Sequence, residues 1–215
     1  MRVVYLHGFA SGPASTKAAF FGERLGACEV EVSTPDLAAG DFEHMTVTSQ
    51  LAVIEREVGD RAAVLIGSSM GGYLASLFAA RHPTLVSRVI LMAPAFCFTK
   101  RWPELIGQAA MDDWRRSGRR TVFHYGGKRE RMLAYGLVED GAQYEDYPAV
   151  DQAVLILHGR MDDVVPWTLS KEFEQRRPDM RRLVLLDSGH ELTDVTERLW
   201  QESSRFLGLV GDCAL

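Results

Sequence analysis

Short apolar runs separated by helical patterns alternate along most of this chain. The strand-like runs are 2–6 (RVVYL), 29–33 (EVEVS), 62–66 (AAVLI), 88–92 (RVILM), 153–157 (AVLIL) and 182–186 (RLVLL). Most are nearly continuous in apolar residues, as strands of a parallel sheet covered on both faces must be. The 29–33 run alternates charge with valine and predicts an edge strand. Between the runs, Ala18, Phe21 and Leu25 share one face of a helix over 15–25, with Gly26 as its stop. Val47, Leu51, Ile54 and Val58 do the same over 46–58, ahead of Gly59. Further helices are predicted over 70–81, ending before Pro83, over 167–176, and over 194–207, where Asp194 and Glu197 form a capping-box pattern. Repeated strand–helix–strand units with right-handed crossovers predict an α/β fold: a mostly parallel six-stranded sheet flanked by helices, in a single domain over 1–215. Ligands of such sheets bind beyond the carboxyl ends of the strands, where the strand order reverses.

One segment breaks the alternation. Residues 97–152, between the fourth and fifth predicted strands, hold no strong parallel-strand run but eight aromatics. Connections of this length are usually functional, so the segment is expected to form a lid, with Trp102 and Trp114 lining the substrate. A small helical subdomain with its own core is the plainer reading. Arg115, Arg116, Arg119 and Arg120 could contact phosphates, but the segment carries nine basic and nine acidic side chains, as a solvated face does.

Composition narrows the class only modestly. A net charge of −5 argues against nucleic acid as a partner. No apolar run approaches the ~20 residues of a membrane span, and the apolar start lacks the features of a secretory signal. Cys28, Cys97 and Cys213 are odd in number and lack metal-ligand spacing, so a reduced cytoplasmic protein is expected.

The chemistry concentrates in the turns that follow strands. Gly67-Ser68-Ser69-Met70-Gly71 fits the strand-to-helix elbow G-x-S-x-G in one register, with Ser69 as the nucleophile. Ser68 would need glycine at Ile66 and Met70. A serine activated in this way requires a base held by an acid, following the nucleophile in the order acid, then histidine. Of the six histidines, His7, His44, His82, His124 and His158 come before or abut the loop after the fifth strand. His190 alone lies beyond it, in LLDSGHEL. The acid comes from LHGRMDDVVPW, which offers Asp162 and Asp163; Asp187 is too close to His190 in sequence and is expected to close the loop through backbone bonds. The oxyanion would be held by the amides of Met70 and, from HGFASGPAS, Phe9. His7 and His158, each followed by glycine, read as structural residues at strand ends.

The set LHGFASGP, GSSMGGY, LHGRMDDVVP and SGHEL resembles the α/β-hydrolase superfamily, and in particular its small bacterial esterases of the YqiA/YcfP type. The resemblance covers nearly the whole chain and is weakest over 97–152. It implies that the acid is the aspartate three residues after the glycine of HG-x-x-D, which is Asp162. It also implies an esterase or thioesterase working without metal or organic cofactor. Three readings follow: hydrolysis of esters of small to medium acyl groups, an acyl-CoA or acyl-carrier thioesterase, and a non-catalytic binding member of the fold. The partner expected in the first two is a small ester or thioester.

Overall fold

The computed structural model describes residues 1–209; Cys213 and the rest of 210–215 lie outside the described residues. Six parallel strands form one sheet in the order β2-β1-β3-β4-β7-β8. They are β1 (Arg2–Leu6), β2 (Glu31–Ser33), β3 (Ala63–Ser68), β4 (Val86–Met92), β7 (Ala153–Gly159) and β8 (Arg181–Leu186). The charged run lies at the edge, as expected, but pairs over only three residues: Glu29 is in the left-handed region (φ 56°) and Val30 N–H turns back to Leu25 O. The strand order reverses at β1, which lies between β2 and β3.

The alternation of side chains splits the core in two. Val3, Tyr5, Val64, Ile66, Ile90 and Met92 face α1 (Thr16–Ala27) and α8 (Thr196–Leu207), against Phe21, Leu25, Leu199 and Trp200. Val4, Leu6, Leu65, Val89 and Leu91 face α2 (Val47–Val58) and α3 (Met70–Arg81). On that second face Phe173 of α7 (Trp167–Gln175) joins the same cluster. Helix α3 is buried over most of its length, which its run of Gly, Ala, Leu and Phe allows.

Two predicted helix boundaries are corrected. Helix α1 runs through Gly26 to Ala27, with Cys28 as its C-cap, whose N–H still finds Leu25 O; one glycine does not stop a helix whose following amides have acceptors. The pattern at Asp194 and Glu197 is no capping box. Thr193–Val195 form a 3-10 turn ahead of α8, and the Asp194 carboxylate accepts the hydroxyl of Ser188 instead.

Residues 97–152 contain α4 (Trp102–Ile106), α5 (Gln108–Ser117), an antiparallel hairpin of β5 (Arg119–His124) and β6 (Arg129–Ala134), and α6 (Gly136–Gly141). The hairpin escaped the pattern reading because its strands carry charge at several positions. The signal was the pair Gly126-Gly127 between two runs of equal length. The segment has no separate core: Trp102, Met111, Trp114, Leu133 and Leu137 join the cluster on the α2/α3 face of the sheet.

Candidate active site

The turn after β3 sets Ser69 at φ 53°, ψ −117°, a strained backbone for a residue with a side chain, and lifts its hydroxyl clear of the sheet. The turn is tied to the neighbouring β4 loop by Ser69 N–H to Met92 O at 2.8 Å and Ala95 N–H to Ser69 O at 3.0 Å, and Ser69 O also accepts Gly72 N–H at 2.9 Å. The flanking glycines are sterically required. A Cβ on Gly67 would come within 2.3 Å of Gly71 O, and one on Gly71 within 2.1 Å of Leu6 O. Ser68 ends β3 and is buried, whereas Ser69 is partly exposed at the N-terminus of α3.

His190 Nε2 lies 3.0 Å from Ser69 Oγ, and His190 Nδ1 lies 2.7 Å from Asp162 Oδ2. The loops that carry Asp162 and His190 follow β7 and β8, which are adjacent parallel strands. They approach each other across Gly159, where a Cβ would meet Ser188 O at 2.3 Å. Met161 N–H to Ser188 O (3.0 Å) and Arg160 N–H to Leu186 O (2.8 Å) join them. From the other side, the buried Lys17 of α1 donates to Glu191 O, next to His190.

The carboxylate of Asp162 is fully enclosed, and each of its oxygens accepts two bonds. Oδ1 accepts from Val164 N–H (2.9 Å) and Val165 N–H (2.7 Å); Oδ2 accepts from His190 and, at 3.0 Å, from His158 Nε2. Burial by itself would raise the pKa of this group. The bonds from His158, His190 and Val165, with the charge that His190 can carry, outweigh burial and hold the carboxyl well below the usual range. Asp163 is exposed. Asp187 is exposed too and pairs with Arg160 at 3.4 Å, rather than accepting the local backbone bonds expected of it.

The loop after β1 runs beside the elbow: a Cβ on Gly8 would stand 3.4 Å from Ser69 Cβ. His7 is structural there, its Nδ1–H donating to Gly8 O (2.9 Å) and its Nε2 accepting Leu37 N–H (3.3 Å). The tip of the β5–β6 hairpin props the same loop through Gly126 N–H to Ala10 O. Among the described residues, neither Phe9 N–H nor Met70 N–H has an acceptor within the protein. The Phe9 ring packs against Phe42 and Phe98 and edge-on against Trp102, with centroids 5.7 Å apart in the last pair. A shallow cleft adjoins this loop, lined in part by Gly8, Phe9, Leu37, Phe42 and His124.

The two tryptophans expected to line the substrate are placed differently. Trp114 is 1% exposed, donates its indole N–H to Leu133 O (3.1 Å) and packs against Trp102, so it belongs to the core on the α2/α3 face of the sheet. Trp102 stands behind Phe9 instead of forming an open wall. Three of the four arginines have partners within the protein: Arg115 bonds the Tyr135 hydroxyl, Arg116 pairs with Asp113, and Arg120 lies over Trp102 and Trp114. Sequence reading missed the contact of His158 with Asp162, although four-residue spacing in HGRMD was a signal for it. Among the described residues, no three His, Cys, Asp or Glu side chains are grouped to hold a metal ion, and no helix is long and apolar enough to cross a membrane.

Comparison with known proteins agrees with this architecture. The chain is 28% identical over 186 residues to the AB hydrolase superfamily protein YisY of Bacillus subtilis, a match covering 72% of this chain and 66%, just under two thirds, of that protein. The mouse alpha/beta hydrolase domain-containing protein 10 superposes with a TM-score of 0.78 at 18% identity, over 98% of this chain and 90% of its own. A monoacylglycerol lipase of Paleococcus ferrophilus gives 0.77 at 16% identity, over 96% and 93%. At these identities the structures speak for the fold alone. The model of the uncharacterised protein family UPF0227 matches residues 2–206, nearly the whole described chain. The chain therefore belongs to UPF0227, the YqiA/YcfP-type family, and has the α/β-hydrolase fold.

Proposed function

We propose that this protein is a serine hydrolase that cleaves carboxylic esters of small to medium acyl groups through an acyl-enzyme. The observation that carries the reading is the unbroken series Ser69 Oγ–His190 Nε2 (3.0 Å) and His190 Nδ1–Asp162 Oδ2 (2.7 Å) on a strained elbow. Asp162, an anion throughout, keeps the His190 proton on Nδ1 and leaves Nε2 free to accept. Ser69 Oγ then attacks the ester carbonyl while its proton passes to Nε2. The N–H groups of Phe9 and Met70 bind the oxyanion, the leaving alkoxide takes the proton from His190, and water resolves the acyl-enzyme by the same route. A serine at the elbow, where a carboxylate would form an ester with an alkyl carbon, favours attack at a carbonyl.

The size preference is supported by what surrounds the elbow: the Phe9 ring beside the oxyanion loop is backed by Phe42, Phe98 and Trp102, which leaves little room for a long chain there. Three of the arginines that could meet a phosphate are engaged within the protein, Arg115 by Tyr135, Arg116 by Asp113 and Arg120 over Trp102 and Trp114, which counts against a phosphate-bearing thioester. The test is hydrolysis of aryl esters and acyl-CoA substrates of graded chain length by the wild type and Ser69→Ala. Short aryl esters should be cleaved by the wild type only. Acyl-CoA cleaved in preference to them, or turnover surviving in Ser69→Ala, would overturn the reading.

A further inference from the structure

We infer that His158 is a positioning residue for Asp162, and that Ser170 fixes the imidazole tautomer on which this depends. The inference rests on the acyl-transfer reading above, in which Asp162 orients His190.

His158 is the next-to-last residue of β7 and is wholly buried. Its Nε2 lies 3.0 Å from Asp162 Oδ2 and 2.9 Å from Val165 O. Both neighbours are acceptors, so Nε2 carries the proton and shares it between them. On the opposite side of the ring, Nδ1 lies 2.7 Å from the hydroxyl of Ser170, itself buried in α7. With Nε2 protonated, the neutral ring accepts at Nδ1 and the Ser170 hydroxyl donates. No other bond of that hydroxyl is found among the described residues. A single series of hydrogen bonds thus runs Ser170–His158–Asp162–His190–Ser69, from α7 to the elbow.

Its consequence follows from the softness of a carboxylate's terminal torsion. The two backbone N–H groups hold Oδ1 alone. Pivoting on Oδ1, the group could swing Oδ2 out of line with His190. The bond from His158 reaches the same Oδ2 that His190 uses, from a rigid strand, and removes that freedom. A buried imidazole would be a poor choice for packing alone, since a leucine at this place would bury no polar atoms. Here both ring nitrogens are satisfied, and one of them is spent on the acid. The bond to Val165 O also braces the acid loop, so a merely structural role must be separated by experiment.

The experiment uses the full chain and three variants: His158→Phe, which keeps a ring without a donor; His158→Gln, whose amide N–H reaches toward the same oxygen; and Ser170→Ala. Two readouts are taken: kcat and KM on a short aryl ester, and, without substrate, the downfield proton resonance of His190 Nδ1–H. Folded His158→Phe should lose about 10- to 100-fold in kcat, with KM nearly unchanged and the resonance shifted or broadened. His158→Gln should recover most of kcat. Ser170→Ala should show the same signature at about 3- to 10-fold. A folded His158→Phe with wild-type kcat and resonance would overturn the inference, as would a Gln variant no better than Phe. If His158→Phe does not fold, unchanged kcat and resonance in Ser170→Ala overturn it. Because the resonance is read without substrate, its failure is distinct from that of the hydrolase reading, which falls if turnover survives in Ser69→Ala.

Discussion

Replacing Asp162 by asparagine exchanges one oxygen for an NH2 group, in a place where four donors converge on two oxygens. The asparagine carbonyl can serve either the backbone pair at Val164 and Val165 or the imidazole pair at His158 and His190, but not both. If it keeps the backbone pair, its NH2 faces two N–H donors. His190 must then move its proton to Nε2 so that Nδ1 can accept, and Nε2 can no longer take the proton of Ser69. A wrong tautomer of this kind costs about 10⁴ in kcat in the serine-protease triad. At about 1.4 kcal/mol per tenfold change, that is some 5–6 kcal/mol of transition-state stabilisation. The assay is kcat on a short aryl ester for Asp162→Asn, Asp163→Asn and Asp187→Asn, with folding checked by circular dichroism. The latter two carboxylates are exposed, so their variants should stay within about two-fold of wild type. An Asp162→Asn protein that folds and retains a tenth of wild-type kcat would refute the reasoning. A crippled Asp163→Asn would show that the neighbouring acid holds the base. Because the folded-state pKa of Asp162 is depressed, its stabilising contribution is present above the unfolded value of ~3.9 and is lost as pH falls through the lower folded value. In acid unfolding of the wild type this contribution should therefore decline progressively as pH falls below about 4, and be gone only once pH is below the lower folded value.

Other consequences are open to direct measurement. Gly71→Ala places a methyl group against Leu6 O and His7 O, so it should cost at least ~1–3 kcal/mol in denaturant unfolding and abolish activity; a stable, active variant would contradict the elbow geometry. Trp114→Ala should destabilise the fold by about 3–5 kcal/mol, seen as a lower Tm, since the side chain is core and not substrate wall; an altered acyl-length preference at unchanged Tm would reverse that placement. kcat/KM should fall beyond medium acyl chains, and esters of tertiary alcohols should react poorly beside Phe9. A steady rise to palmitoyl esters, or efficient cleavage of tert-butyl acetate, would count against the crowding around Phe9. At high pH, Tyr5, Tyr73 and Tyr147 hold their protons in the fold because burial raises all three. Above the unfolded value of ~10 the folded state binds more protons, so stability must fall as pH rises; Tm measured between pH 9 and 11 should decline.

The parts of the fold that were legible in the sequence are those that one local physical rule governs. Continuous apolar runs between helical patterns yield the six parallel strands, and the charge of residues 29–33 places that strand at an edge. The elbow is legible because two glycines are required by backbone contact, a constraint no other residue meets. The choice between Asp162 and Asp163 is different. Adjacent acids look alike in sequence, and selection between them depends on a turn held by Val164 and Val165 N–H and on a neighbouring strand. His158 was read as a strand-end residue because its partners, Ser170 and Asp162, meet only after α7 packs on β7. Asp194 shows the reverse error. Its capping pattern is a sound local rule, overridden when Ser188 offers the carboxylate a closer partner. In residues 97–152 the burial of Trp102 and Trp114 is decided by tertiary packing, which aromatic content alone does not reveal.

The central claim is that Ser69, driven by His190, is the covalent nucleophile. The most direct measurement is to treat the protein with a fluorophosphonate and map the adduct by peptide mass spectrometry, in the wild type, Ser69→Ala and Ser68→Ala. Labelling of Ser69 in the wild type and in Ser68→Ala, with none in Ser69→Ala, is the predicted result. Labelling of Ser68, or equal labelling of the wild type and Ser69→Ala, would contradict it.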